Sequence, residues 1–166
     1  MALDRTWYNT LVDDDGSGLT GSVWNKASVD HVYDDVDALF QIGSWTPGLG
    51  FGGSGGALGT FAGTFLRVDR LVLAEFHIAL TSRGPRTGYA EVFGLPFPVV
   101  ANTFHNGIVT PNSGMAGLTS AILSFAVGGQ ATLFLYQLSG SASVNLTEAN
   151  FTNTSDIYGS IAYRTP

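Results

Sequence analysis

Residues 60–80, TFAGTFLRVDRLVLAEFHIAL, limit the fold more than any other part of this chain. They read as two strands joined by a tight turn at Val68-Asp69-Arg70. Side chains alternate sides along an extended strand, so Val72, Ala74, Phe76, Ile78 and Leu80 share one wholly apolar face. Leu71, Leu73, Glu75, His77 and Ala79 share the other, which is mixed. That contrast predicts a half-buried antiparallel strand.

Further strands of the same kind follow. Residues 89–93 form one, closed by Gly94-Leu95-Pro96-Phe97-Pro98, where two prolines forbid a central strand. Residues 121–127 and 131–138 flank Gly128-Gly129-Gln130 and predict a hairpin. Both of its faces are apolar: Ile122 and Ala126 on one, Leu123, Phe125 and Val127 on the other. Residues 99–117 read as irregular, with turns marked by Asn102, Asn106, Pro111 and Asn112. Residues 146–150 predict one helical turn, and 157–164 a final strand. About eight strands and 22 glycines predict a mainly β chain, an antiparallel β-sandwich or jelly-roll-like domain.

Ahead of this body the pattern is helical. Val29, Val32, Tyr33, Val36, Leu39 and Phe40 recur on one stripe, while Asp30, Asp34, Asp35 and Asp37 lie off it. Ser22 can cap the start and Gly43 the end. No second helix is available as a partner, so the stripe must lie on the β domain, zip against copies of itself or dock on another protein. The chain therefore divides into residues 1–42, an attachment arm with an amphipathic helix, and residues 43–166, a projecting β domain. Trp24 and the stripe from Val29 to Phe40 are the candidate attachment or oligomer interface.

Only 12% of the residues are charged against 45% apolar, so the surface is neutral-polar or partly covered by other subunits. The net charge of −6 argues against nucleic acid, which requires a basic footprint. No apolar run approaches the ~18–20 residues of a membrane span, and the N-terminus does not read as a secretion signal. The absence of cysteine excludes disulfides and thiolate chemistry.

Little else reads as an active site. Asp13-Asp14-Asp15-Gly16 invites a calcium loop, but the twelfth position from Asp13 is Trp24, where a bidentate Glu is required. The segment reads instead as an acidic surface turn, and no metal or cofactor is expected. Gly52-Gly53-Ser54-Gly55-Gly56 matches G-x-S-x-G literally, yet it lies in a glycine loop ahead of a strand and not between strand and helix. His77 shares a strand face with Glu75, a pair suited to binding a metal, to proton transfer or to an interface. No catalytic residue is assigned. A glycan-cleaving enzyme would have to draw on body carboxylates such as Glu75 or Glu91. The stronger candidates are contact surfaces, since exposed rings and amides suit sugar or protein recognition. Phe97, Phe104, His105 and Asn106 form such a set.

Several short motifs carry a resemblance. Trp45-Thr46-Pro47 with Leu49 and Phe51-Gly52-Gly53, then Gly63-Thr64-Phe65, Arg67-Val68 and Gly94-Leu95-Pro96-Phe97, occur in the same order as in a β domain of tailed-bacteriophage virion proteins. Leu146-Thr147, Ala149-Asn150-Phe151 and Asn153-Thr154-Ser155-Asp156-Ile157 continue the series to Tyr163-Arg164. Tyr8-Asn9-Thr10-Leu11-Val12 with Trp24-Asn25-Lys26 resembles the N-terminal attachment segments of such proteins. The resemblance implies a jelly-roll-like, commonly trimeric domain on the virion surface, without catalytic residues. The expected role is capsid decoration or a head fibre contacting other virion proteins. The alternative is a tail-associated module that binds host glycan.

Overall fold

The computed structural model describes residues 26–166. Trp24, the Ser22 cap and the Asp13-Asp14-Asp15 turn lie outside the described residues. Among the described residues an α-helix, α1 (Lys26–Leu39), leads directly into the first of eleven strands, and a single 3-10 turn (Glu148–Asn150) precedes the last. The strands are β1 (Phe40–Trp45), β2 (Gly48–Phe51), β3 (Ser54–Gly55), β4 (Leu58–Val68), β5 (Leu71–Ser82) and β6 (Ala90–Phe93). They continue as β7 (Phe104–Met115), β8 (Ile122–Val127), β9 (Thr132–Ser139), β10 (Ala142–Asn145) and β11 (Phe151–Arg164).

The β4–β5 hairpin forms as its alternation demands. Asp69 and Arg70 make the turn, Asp69 at φ +52, and Val68 pairs with Leu71. An aspartate tolerates that left-handed conformation better than most residues, because its short polar side chain bonds locally. Val72, Ala74, Phe76, Ile78 and Leu80 are all at most 6% exposed, whereas Leu71 and Leu73 on the other face are 52% and 43% exposed. Burying each large side chain of that inner row contributes roughly 1.5–3 kcal/mol.

All strands join one antiparallel sheet in the order β1-β4-β5-β11-β7-β8-β9-β6-β2-β3, with β10 added beside β9. The expected sandwich is thus a single sheet that closes over its own inner face. Phe51 of β2 meets Phe151 of β11 edge-on at 5.4 Å, although their strands stand far apart in the sheet order. Backbone bonds reinforce the closure, from Ala90 N–H to the Leu146 carbonyl at 2.8 Å and from Val100 N–H to the Arg164 carbonyl at 2.7 Å. Close backbone approach is made possible at two glycines flanking Phe76. A Cβ at Gly63 would strike the Trp45 indole, and one at Gly159 would strike the Phe76 ring.

Two sequence expectations need correction. The stretch expected to be irregular contains β7, a twelve-residue strand between β11 and β8. Asn112 and Gly114 lie at register shifts against β11, which bend the pair without ending it, whereas Asn106 and Gly107 pair regularly with β8. Gly114, at φ +65, takes a conformation open to glycine there. The helix, expected to run to Gly43, ends at Leu39, and Phe40 belongs to β1. Pairing of Phe40 with Val68, Ile42 with Leu66 and Trp45 with Gly63 outweighs the helical spacing, so β1 runs through the expected boundary at 42/43. The Leu39 carbonyl accepts the Asp69 N–H at 2.8 Å, which ties the helix end to the β4–β5 turn.

The main neighbour of α1 is β1. Val32 and Leu39 remain 46% and 44% exposed, and Phe40 46%. These three residues of the stripe are not covered by the β body. No helix of the described residues is long and apolar enough to cross a membrane.

Candidate ligand-binding surface

The outer face of the sheet holds two hollows. The first is a space of about 220 Å³ between Asn106 of β7, Phe125 of β8, Tyr136 of β9 and Ser143 and Asn145 of β10. Cross-strand register builds it. Asn106 is opposite Phe125, Phe125 opposite Phe134, and Tyr136 opposite Asn145. Alternation sends Ile122, Ser124 and Ala126 into the core, and so turns Phe125 outward. The Phe125 ring stacks on Phe134 at 5.3 Å and 24° and meets Tyr136 edge-on at 5.8 Å. Such contacts fix ring orientation and contribute roughly 0.5–1.5 kcal/mol per pair. The result is an aromatic floor with an amide on either side. Among the described residues, the side-chain polar groups of Asn106, Tyr136, Ser143 and Asn145 bond no other protein group, so they are available to a ligand.

The second hollow, about 410 Å³, lies over β4, β5 and β11 between Ser44, Ala62, Thr64, Glu75, His77 and Tyr158. Smaller spaces adjoin it towards Thr110 and Ser160, and towards Ile42, Leu66 and Leu73; Glu75 lines all three. At one end His77 Nε2 lies 2.8 Å from Asp156 Oδ1. A carboxylate only accepts, so the imidazole donates from Nε2. The His77 ring lies flat on Tyr158, centroids 4.0 Å apart and planes 4° apart. Asp156 is thus the partner of His77 that the strand pattern around Glu75 did not reveal. No group of three or more metal-ligating side chains occurs among the described residues.

The structure separates the four residues expected to form a ligand surface. Phe104, 73% exposed, and Asn106 point outward from β7. Phe97 is instead a packing residue: it meets Phe65 edge-on at 5.3 Å, and the Arg67 guanidinium lies 4.7 Å from its ring centre. His105 faces the other side of β7, with Nε2 3.2 Å from the Thr103 hydroxyl. Burial, and then the positive charge of Arg164, hold its pKa below the usual value. No local sequence pattern singles out Phe125, Tyr136, Ser143 and Asn145, although the two apolar faces of the β8–β9 hairpin leave one row of rings without a core to enter.

The arrangement of strands has a counterpart among solved structures. The chain is similar to the crystal structure of the Dettilon tailspike protein (gp208), with a TM-score of 0.65 at 14% identity. The fold resembles part of a tailspike. The likeness covers 75% of this chain and 24% of that one, so the matched part spans about a quarter of the longer protein. No protein-family model and no curated protein matches the sequence.

Proposed function

We propose that this chain is a tail-associated structural protein of a bacteriophage virion that binds host surface glycan and is not an enzyme. The observation that carries the reading is the aromatic floor of Phe125 and Tyr136 between the free amides of Asn106 and Asn145. Rings cover the apolar face of a sugar while amides and hydroxyls bond its hydroxyl groups. The fold likeness to a tailspike favours this tail-associated role over capsid decoration or a head fibre. The exposed stripe of α1 supplies the contact through which copies associate as a homotrimer and meet other virion proteins.

Two measurements test it. Gold-labelled antibody should mark the tail of parent particles; label spread over the head would restore the decoration role. On an array of bacterial surface polysaccharides the wild type should be retained, with at least tenfold loss in Tyr136→Ala and none in Phe97→Leu. Retention of nothing, or equal retention of both variants, would remove the binding assignment.

A further inference from the structure

We propose that one extended, uncharged glycan chain crosses the strands of the outer face and fills both hollows at once, with Glu75 at the centre of the second subsite. This rests on the glycan-binding reading above and adds to it a ligand class and a direction. Register carries the argument. Glu75 is opposite Ser160, Ser160 opposite Ile108, Ile108 opposite Leu123, and Leu123 opposite Tyr136. These residues form one continuous row on the outer face, and it ends beside the aromatic floor. Four strand-to-strand steps of ~4.8 Å make the path along the row from Glu75 to Tyr136 about 19 Å.

The chemistry of the row is graded. At the Glu75 end, the hydroxyls of Ser44 and Thr64 and the carboxylate itself line the 410 Å³ hollow. Ser160 lines the space adjoining it. Among the described residues the Glu75 carboxylate has no hydrogen-bond or ion-pair partner. A carboxylate accepts bonds from two neighbouring hydroxyls, which is what a sugar unit offers and a water-exposed apolar segment does not. The middle of the row is Ile108, 46% exposed, and Leu123, apolar positions over which the ring face of a sugar can lie. At the far end stand Tyr136 and the amides.

Charge sets the class of polymer. The row holds one carboxylate and no cation, and the chain carries a net charge of −6. An acidic polysaccharide would be repelled at Glu75, so the ligand is neutral along this length. Occupying two linked sites makes the second contact intramolecular, so affinity should rise steeply once the glycan is long enough to reach both.

The test uses the whole chain against immobilised neutral bacterial polysaccharides and two-unit fragments cut from the same polymers. The expected result is polymer binding at least tenfold tighter than fragment binding. Glu75→Ala and, independently, Thr64→Val should lower polymer binding towards the fragment level while leaving fragment binding unchanged. Tyr136→Ala should lose both. If Glu75→Ala and Thr64→Val bind polymer like the wild type while Tyr136→Ala loses it, the second subsite is overturned and the aromatic hollow stands. Equal affinity for polymer and fragment overturns it as well. Retention of no neutral polymer while acidic polymers bind overturns the ligand class, and retention of nothing overturns the underlying reading too.

Discussion

Tyr163 in β11 holds the backbone of Phe97 in both senses: its hydroxyl donates to the Phe97 carbonyl at 3.0 Å and accepts the Phe97 N–H at 3.3 Å. The phenol is fully buried, and burial raises its pKa from 10.0 to about 12, more than the hydrogen bond to Phe97 lowers it. This pair pins the proline-bounded loop after β6 against the centre of the sheet.

Tyr163→Phe leaves that N–H and carbonyl without partners and should destabilise the fold by about 1–3 kcal/mol in urea denaturation. The wild type carries a second signature. Its folded-state pKa lies above the unfolded value, so the stabilisation is intact below pH 10 and lost as pH rises towards 12. The loss should approach roughly 1.4 kcal/mol per pH unit across that window. Tyr163→Phe should lack this alkaline fall, which a series of urea melts between pH 8 and 12 would show.

The row Gly63–Phe76–Gly159 predicts a close-packing effect. A methyl group at Gly159 collides with the Phe76 ring, which cannot withdraw because Trp45 packs edge-on against it at 6.4 Å. Gly159→Ala should therefore cost about 1–3 kcal/mol, the usual range for an overfilled core. The double variant with Phe76→Leu should cost less than the sum of the two single changes, because the smaller side chain makes room for the methyl. Additive losses in thermal melts would show that the contact is not the cause.

Ser124 offers the opposite sign. Its hydroxyl is fully buried in β8 and has no hydrogen-bond partner. A buried unpaired hydroxyl opposes folding by about 1–3 kcal/mol, so Ser124→Ala should be neutral or should raise the melting temperature. A clear loss of stability would mean that an ordered water satisfies the hydroxyl.

These sites show how much of the structure the chain discloses locally. The inner face of β5 was legible because five apolar residues alternate without a break, and the β8–β9 hairpin because glycines separate two such runs. β7 was not, because Asn106, Asn112 and Gly114 carry turn signals that only pairing with β8 and a bulged β11 overrides. The helix end was misplaced for the same reason: Phe40 suits the helical stripe, but its pairing with Val68 depends on a strand 28 positions later. Site residues far apart in the chain, such as His77 and Asp156 on paired strands or Asn106 and Asn145 with two strands between them, are brought together by register that no local pattern encodes. Exposed aromatics were legible singly, and their grouping was not.

Val32, Leu39 and Phe40 are nearly half exposed, and the apolar surface continues onto the sheet through Ile42, 62% exposed, and its cross-strand neighbours Leu66 and Leu73. The acidic side chains of Asp34 and Asp35 are exposed off the stripe, and Asp35 lies 3.6 Å from His31 within the helix. A contiguous apolar band of this kind marks an interaction surface. Under the homotrimer proposal, Val36→Asp puts an uncompensated charge into the seam and should weaken association at least tenfold. Light scattering should then report monomers, while circular dichroism and the melting temperature of the β body stay as in the wild type, because Val36 lies outside the core of the sheet. If the wild type is itself monomeric, or if Val36→Asp remains a trimer, copies of this chain do not meet through α1, and another virion protein becomes the occupant to seek.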